Sequence, residues 1–530
     1  MRFNAALFAS ALLAGVSSFS MVQAATPKDV IVMAKTIDDI ISLDPGESFE
    51  FSGSEVLGNV YDRLLTFDYN DVSKIKGEAA ESFAVAEDGL TYIFKIRKGV
   101  KFHSGNTMTA EDAAYSIQRA VILNKSPGFI LTQFGFNKDN VTDRVRAQDA
   151  DTLIIRLDKP VAPTFFFYCL TATVASVVDS KLVKANEKDG DFGNAWLKAN
   201  SAASGPYKLQ SWKAKESYTL TANTEYWGDK AKNKRVIVQH IPEAATQRLL
   251  LEKGDIDFAR NLEKDQINGV ANNKDIKIQS GVKGSLMYLG LNQKNPNLAK
   301  PEVREALKYL VDYQSIENNL LKGTYTTHQA FLPKGFLGAL NDTPYKYDVA
   351  KAKELLAKAG LPNGFSITID VRNVSPWQDV AQAIQASWAN AGVKVELVPG
   401  DGGQVLTKYR ARNHDIYIGN WGPDYQDPHT NAETFAVNYD NSDAGKTKTL
   451  AWRNSWDIPE MTKQTLAAVL ERDAAKRAAL YTTIQKEHQK SSPFVVMFQQ
   501  TEVAASRTNV SGFIIGPSFD NNIYTNIVKK

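Results

Sequence analysis

The sequence predicts an α/β protein built from two or three lobes, and three observations carry that reading. At 530 residues the chain exceeds the size at which one hydrophobic core stops growing. From about residue 289 helical and strand-like patterns alternate regularly through Ile418, the β-α-β order of a sheet whose ligands sit beyond the strand ends. The polar stretch from Lys184 to Ser204 lacks apolar periodicity and ends at Gly205-Pro206-Tyr207, so a boundary between lobes is expected there.

In chain order, Asp29 to Ala34 reads as a strand, turned by Ser42-Leu43-Asp44-Pro45. A helix follows, with Val56, Val60 and Leu64 at helical spacing. Asp88-Gly89 is a turn signal before Leu90 to Arg97, where Tyr92, Phe94 and Ile96 alternate with Lys95 and Arg97 as in a half-buried strand. Gly99 and Gly105 bracket another short strand, Val100 to His103. Thr109 caps a helix with Asp112 at the capping-box distance, and Ala113, Ile117 and Ala120 continue its buried face. Thr152 to Leu157, Tyr218 to Thr221 and Arg235 to His240 are strands. The helix carrying Leu249, Leu250 and Leu251 stops at Gly254.

In the alternating region, Pro301 starts a helix that buries Val303, Leu307, Leu310 and Val311. Asp348 caps the next, with Ala352, Leu355 and Leu356 inward and Gly360-Leu361-Pro362 as its stop. Phe365 to Ile369 and Val393 to Leu397 are strands flanking a helix marked by Ala381, Ile384 and Trp388. Ile416 to Gly419 is a short buried strand. One late helix carries Leu466, Val469, Leu470, Leu480 and Ile484, and Phe494 to Ile515 is strand-rich.

The N-terminus differs in kind from the rest. Arg2 supplies a positive charge, Ala5 to Phe19 is apolar, and Val22-Gln23-Ala24 offers a small-residue cleavage site, so residues 1–24 read as a signal peptide. The apolar core is too short for a membrane span. No cysteine lies near the cleavage site, so an exported protein without a lipid anchor is expected. A net charge of +3 over this length, with acidic and basic residues interleaved, leaves no electrostatic footprint for nucleic acid or an anionic membrane. Cys169 is the only cysteine and lies in the apolar run Phe165 to Leu170, where a buried, inert thiol is expected.

Reaction chemistry leaves few traces. The six histidines show no metal-ligand spacing, and no metal or cofactor is expected. Gly445-Lys446-Thr447 resembles the end of a phosphate-binding loop, but Asp440 stands where its first glycine belongs. No G-x-S-x-G elbow occurs; a Ser–His–Asp set assembled from distant segments stays open at this level.

The informative stretch is Trp421-Gly422-Pro423-Asp424-Tyr425-Gln426-Asp427-Pro428, an aromatic plate, a stiff corner and two carboxylates directly after a buried strand. Asp424 reads as the grip for a cationic group. The alternatives are a surface-turn carboxylate, with Trp421 as plain core packing, or an Asp424/Asp427 acid–base pair in a secreted hydrolase.

Several segments together resemble the solute-binding proteins of the peptide/dipeptide/nickel class that serve ABC importers. They are Asp88 to Gly105 continuing into Thr109-Ala110-Glu111-Asp112, Leu43-Asp44-Pro45, Gly205-Pro206-Tyr207, Tyr226-Trp227-Gly228, Pro301 to Leu307 and Trp421 to Pro428. The resemblance implies a two-lobed periplasmic binding protein fold of the large type II kind with an extra inserted domain. Lobe I would comprise 25–68, 205–288 and 499–530, the insertion 69–204, and lobe II 289–498. It implies a monomeric, non-enzymatic periplasmic protein that captures a short peptide and delivers it to a membrane permease. An opine-like amine/carboxylate conjugate or a metal chelate is the alternative ligand. It further implies that Asp424 pairs with the ligand ammonium beside Trp421 and Gly422. Arg372 would take a carboxylate, with Arg410 and Arg412 as alternatives. One departure stands out: Pro423 occupies a position where a residue with a backbone N–H is usual in the family, and proline has none to donate.

Overall fold

Two long antiparallel strands, Ile276–Leu291 and Phe494–Arg507, hold the molecule together. In the computed structural model, which describes residues 26–69, 71–445 and 447–530, they lie at the centre of an 11-stranded sheet. The segment expected to be a signal peptide, and Lys446 of the Gly-Lys-Thr tripeptide, lie outside the described residues. On one side of the pair the order is Ile416–Trp421, Ser366–Arg372, Lys394–Gly400. On the other it is Phe258–Ala259, Val30–Lys35, Arg235–His240, Ser217–Ala222, Tyr207–Lys213.

The register between the long strands breaks between Val282 and Leu286. An interrupted ladder bends and twists a sheet locally. The pairs from Ile276 to Val282 belong to one half of the sheet, and those from Leu286 to Gly290 to the other. Each half has its own apolar core, one around Ile31, Leu220, Val236 and Phe258, the other around Leu289, Leu307, Ile369 and Trp388. This is a two-lobed α/β protein with a hinge built from strands rather than from a linker.

A separate four-stranded sheet, in the order Ala80–Val85, Thr91–Ile96, Thr152–Arg156, Val145–Asp149, forms the extra domain with the helix Ala110–Leu123 over it. The Asp112 carboxylate accepts the Thr109 N–H at 2.9 Å, closing the capping box. Cys169 is buried in this domain's core, and burial pushes its thiol pKa well up.

Four local expectations need correction. Leu64 is buried but lies beyond the helix Phe51–Val60, which ends where Tyr61 turns extended. Val100 to His103 is not a strand: Lys101 makes one isolated bridge to Thr107, and Gly99 and Gly105 adopt φ of +78° and +94°, so the segment is a tight loop. The single late helix is two, Pro459–Leu470 and Ala474–Ser491, because Asp473 caps the second by accepting the Lys476 N–H at 2.9 Å. Leu470 and Leu480 face solvent, as does Leu249 in the separate helix Ala244–Lys253.

Candidate functional site

The strand Ile416–Trp421 runs antiparallel to the hinge strand, pairing Trp421 with Leu286 just past the register break. It therefore delivers the following loop into the gap between the lobes. That gap is a chamber of about 420 Å³ lined by Trp421, Gly422, Pro423 and Asp424 from one lobe and by Phe51 and Phe519 from the other. The two phenylalanine rings stack at 4.3 Å, and a Cβ placed on Gly422 would sit 3.7 Å from the Phe51 ring. A second chamber of about 620 Å³, bordered by Tyr325, Trp377, Gln500 and Arg260, shares Phe519 with the first.

Asp424 has no cationic partner among the described residues. Its backbone N–H donates to the Thr430 hydroxyl at 3.1 Å, and among the described residues its carboxylate enters no ion pair. Burial, reinforced by the nearby Glu433 carboxylate, pushes its pKa up to about 7. Asp427, three residues on, has the opposite fate. Arg477 donates to both its oxygens at 2.7 and 2.6 Å, and the His429 N–H adds a third bond at 2.9 Å. An Asp424/Asp427 acid–base pair is therefore not assembled: Asp427 is an internal strut, already fully committed.

Trp421 is half-buried against the aromatic core of its lobe, with its indole N–H buried and unpartnered at the chamber wall. Pro423 has a structural task. A Cβ on Gly284, within the broken register of the hinge strand, would come within 2.8 Å of the Pro423 ring, so glycine there lets the loop sit directly on the hinge. Tyr425 packs its ring into the core of the extra domain, 5.8 Å from Phe165.

The three arginine candidates separate. Arg410, the last residue of the helix Gly402–Arg410, is exposed and lines the chamber with Asp424. Arg372 ends its strand outside that lining, its guanidinium over the Trp377 ring at 4.7 Å. Arg412 is buried with φ +60°, bound to Ser455, Asn441 and Asp443, and serves the fold. Sequence reading missed Arg453, which also lines the chamber, and Trp377, whose indole N–H donates to Asn420 at 2.8 Å. It also missed Phe51 and Phe519, which lie some 370 and 100 positions from the loop they face and carry no motif.

The model describing bacterial extracellular solute-binding proteins, family 5 Middle, matches residues 74–443. The chain belongs to this family. Among its relatives is the probable D,D-dipeptide-binding periplasmic protein DdpA of Escherichia coli (strain K12), 28% identical over 521 residues and covering 97% of each chain. The glutathione-binding protein GsiB of Salmonella typhimurium is 25% identical, covering 96% of this chain and 97% of its own. Of the solved structures, the ABC transporter-associated periplasmic binding protein DppA from Helicobacter pylori, in complex with peptide STSA, is 26% identical. It superposes with a TM-score of 0.77 over 94% of this chain and 98% of its own. HbpA2 from Haemophilus parasuis gives 25% identity and a TM-score of 0.79 over 94% and 100%. Family membership and these superpositions establish the two-lobed binding-protein fold, and the characterised relatives are binding proteins.

Proposed function

We propose that this protein is the periplasmic substrate-binding component of an ABC importer, and that it captures a short peptide between its lobes for delivery to a membrane permease. The observation that carries the reading is the Asp424 carboxylate, held in the interlobe chamber with no cation of its own. A buried ionised carboxylate needs a partner, and a peptide α-ammonium supplies the opposite charge and three donors. Trp421 and Gly422 then form the wall beside it, and the ligand's anionic end lies toward Arg410. In this reading the lobes divide at 25–68, 205–288 and 499–530 against 289–498, with 69–204 inserted, and the protein works as a monomer.

Calorimetry with a panel of di- to pentapeptides tests the proposal. Micromolar or tighter binding of at least one member is expected; binding of none defeats the peptide reading. A non-peptide amine bearing a carboxylate would satisfy the same groups, and native mass spectrometry of ligand retained from the host separates the two.

A further inference from the structure

Two guanidinium groups line the chamber without an ion-pair partner among the described residues, and a third, Arg372, lies just outside its lining. Arg410 and Arg453 line it directly. Together with Arg372 they bear on one phenol, that of Tyr417, opposing the upward push that burial gives its pKa. Tyr417 shares a strand face with Trp421, two and four residues apart through Gly419. A Cβ on Gly419 would lie 2.3 Å from the Tyr417 ring, so this ring lies along the strand toward the loop that carries Asp424. Cation and anion sites are thus presented on one sheet face.

The carboxylates nearby are already engaged. Asp370, two residues before Arg372, holds Lys408 at 2.6 Å. Asp520, the other acid of the chamber, is committed to Arg63. Arg453 spends its Nε–H on the Lys448 carbonyl at 3.2 Å, and among the described residues its terminal nitrogens donate to no protein group. None of the three arginines enters an ion pair among the described residues. In the chamber itself the unpaired charges are one negative, Asp424, and two positive, Arg410 and Arg453.

We infer that the preferred ligand is net anionic: an amine carrying two carboxylates, such as a dipeptide with an acidic second residue. The inference rests on the peptide reading above and specifies it. With the ammonium on Asp424, one carboxylate leaves a guanidinium of the chamber unmatched, and two complete the pairing. Arginine suits this role because its planar fork donates two hydrogen bonds to a carboxylate and stays charged at every working pH.

The experiment is calorimetry with Ala-Glu and Ala-Gln, which differ in one charge at nearly constant shape. Ala-Glu is expected to bind at least about tenfold more tightly, the size of one charge-assisted bond. In R410Q/R453Q that ratio should fall toward one, while thermal melting reports that the fold is retained. Equal affinities in the wild-type protein, or a preference for Ala-Gln, would overturn this inference and leave the peptide reading standing. Failure of both dipeptides, and of the longer panel, would remove the peptide reading and this one with it. If the double variant does not fold, the wild-type ratio alone still decides.

Discussion

Two groups of buried charge lie close together in this protein and behave in opposite ways. Beneath the hinge, Lys35, Glu55, Arg260, Lys283 and Glu502 form a closed cluster. Arg260 donates to Glu55 at 2.8 Å and to Glu502, Lys283 reaches Glu502 at 3.0 Å, and Lys35 reaches Glu55. Asn522 adds bonds to both glutamates, at 3.3 and 3.1 Å. Burial alone would raise the Glu55 pKa, but Arg260 and Lys35 outweigh it and hold it at about 2. At the chamber wall, Asp424 is half-buried and desolvated without the cations, and its pKa rises instead. Desolvation acts on both sites; the presence of a partner decides the sign. The cluster ties the two hinge strands to the first lobe, whereas the chamber leaves its charges open for a ligand.

Breaking the cluster should have the largest effect. Arg260→Met removes the cation that Glu55 and Glu502 share and leaves each with a single lysine, and a loss of about 3–5 kcal/mol is expected in urea unfolding. An unchanged midpoint would show that the cluster does not hold the hinge.

The chamber should respond differently. Asp424→Asn is expected to lower affinity for an ammonium-bearing ligand by about 2–5 kcal/mol. The unliganded protein should melt no earlier at pH 8, because an uncompensated carboxylate has been removed. The pH dependence has a defined sign. Between the ordinary carboxylate range and pH 7 the folded wild-type protein keeps a proton on Asp424 that the unfolded chain has lost, so its ligand-free stability falls as pH rises through that window. Ammonium binding strengthens across the same window as the carboxylate ionises. Asp424→Asn should flatten both trends; a variant that keeps wild-type affinity and slope would sink the assignment.

The smallest effect sharpens the contrast from the side of an apolar interior. Cys169 has no opening to solvent, and burial keeps it a thiol despite the nearby Arg477. A chromogenic thiol reagent should detect one equivalent only on unfolding. Reaction in the native state would mean that the extra domain opens readily.

Local chemistry made much of this molecule legible in its sequence. The Thr109–Asp112 capping box, the Asp348 cap and the glycine stops at 254 and 360 occur where their residues call for them, since each is settled within one helical turn. The candidate loop was legible too, because a buried strand ending in Trp421 must open somewhere. The difference between Asp424 and Asp427 was not. Both are aspartates in one turn, yet one meets Arg477 fifty positions away and the other meets no cation among the described residues. Arg410, Arg412 and Arg453 were equally indistinguishable as letters: one lines the chamber from a helix end, one is locked inside, and one arrives from a short segment with no motif.

By itself the sequence determined the α/β class and the caps and turns, and it singled out the stretch now proposed to meet a ligand. These follow from periodicity and from residues acting on near neighbours. Tertiary structure alone decided which carboxylate enters no ion pair among the described residues, which arginines line the same chamber, and why Pro423 sits on Gly284. Charge compensation and close packing join groups hundreds of residues apart, and no local pattern records them.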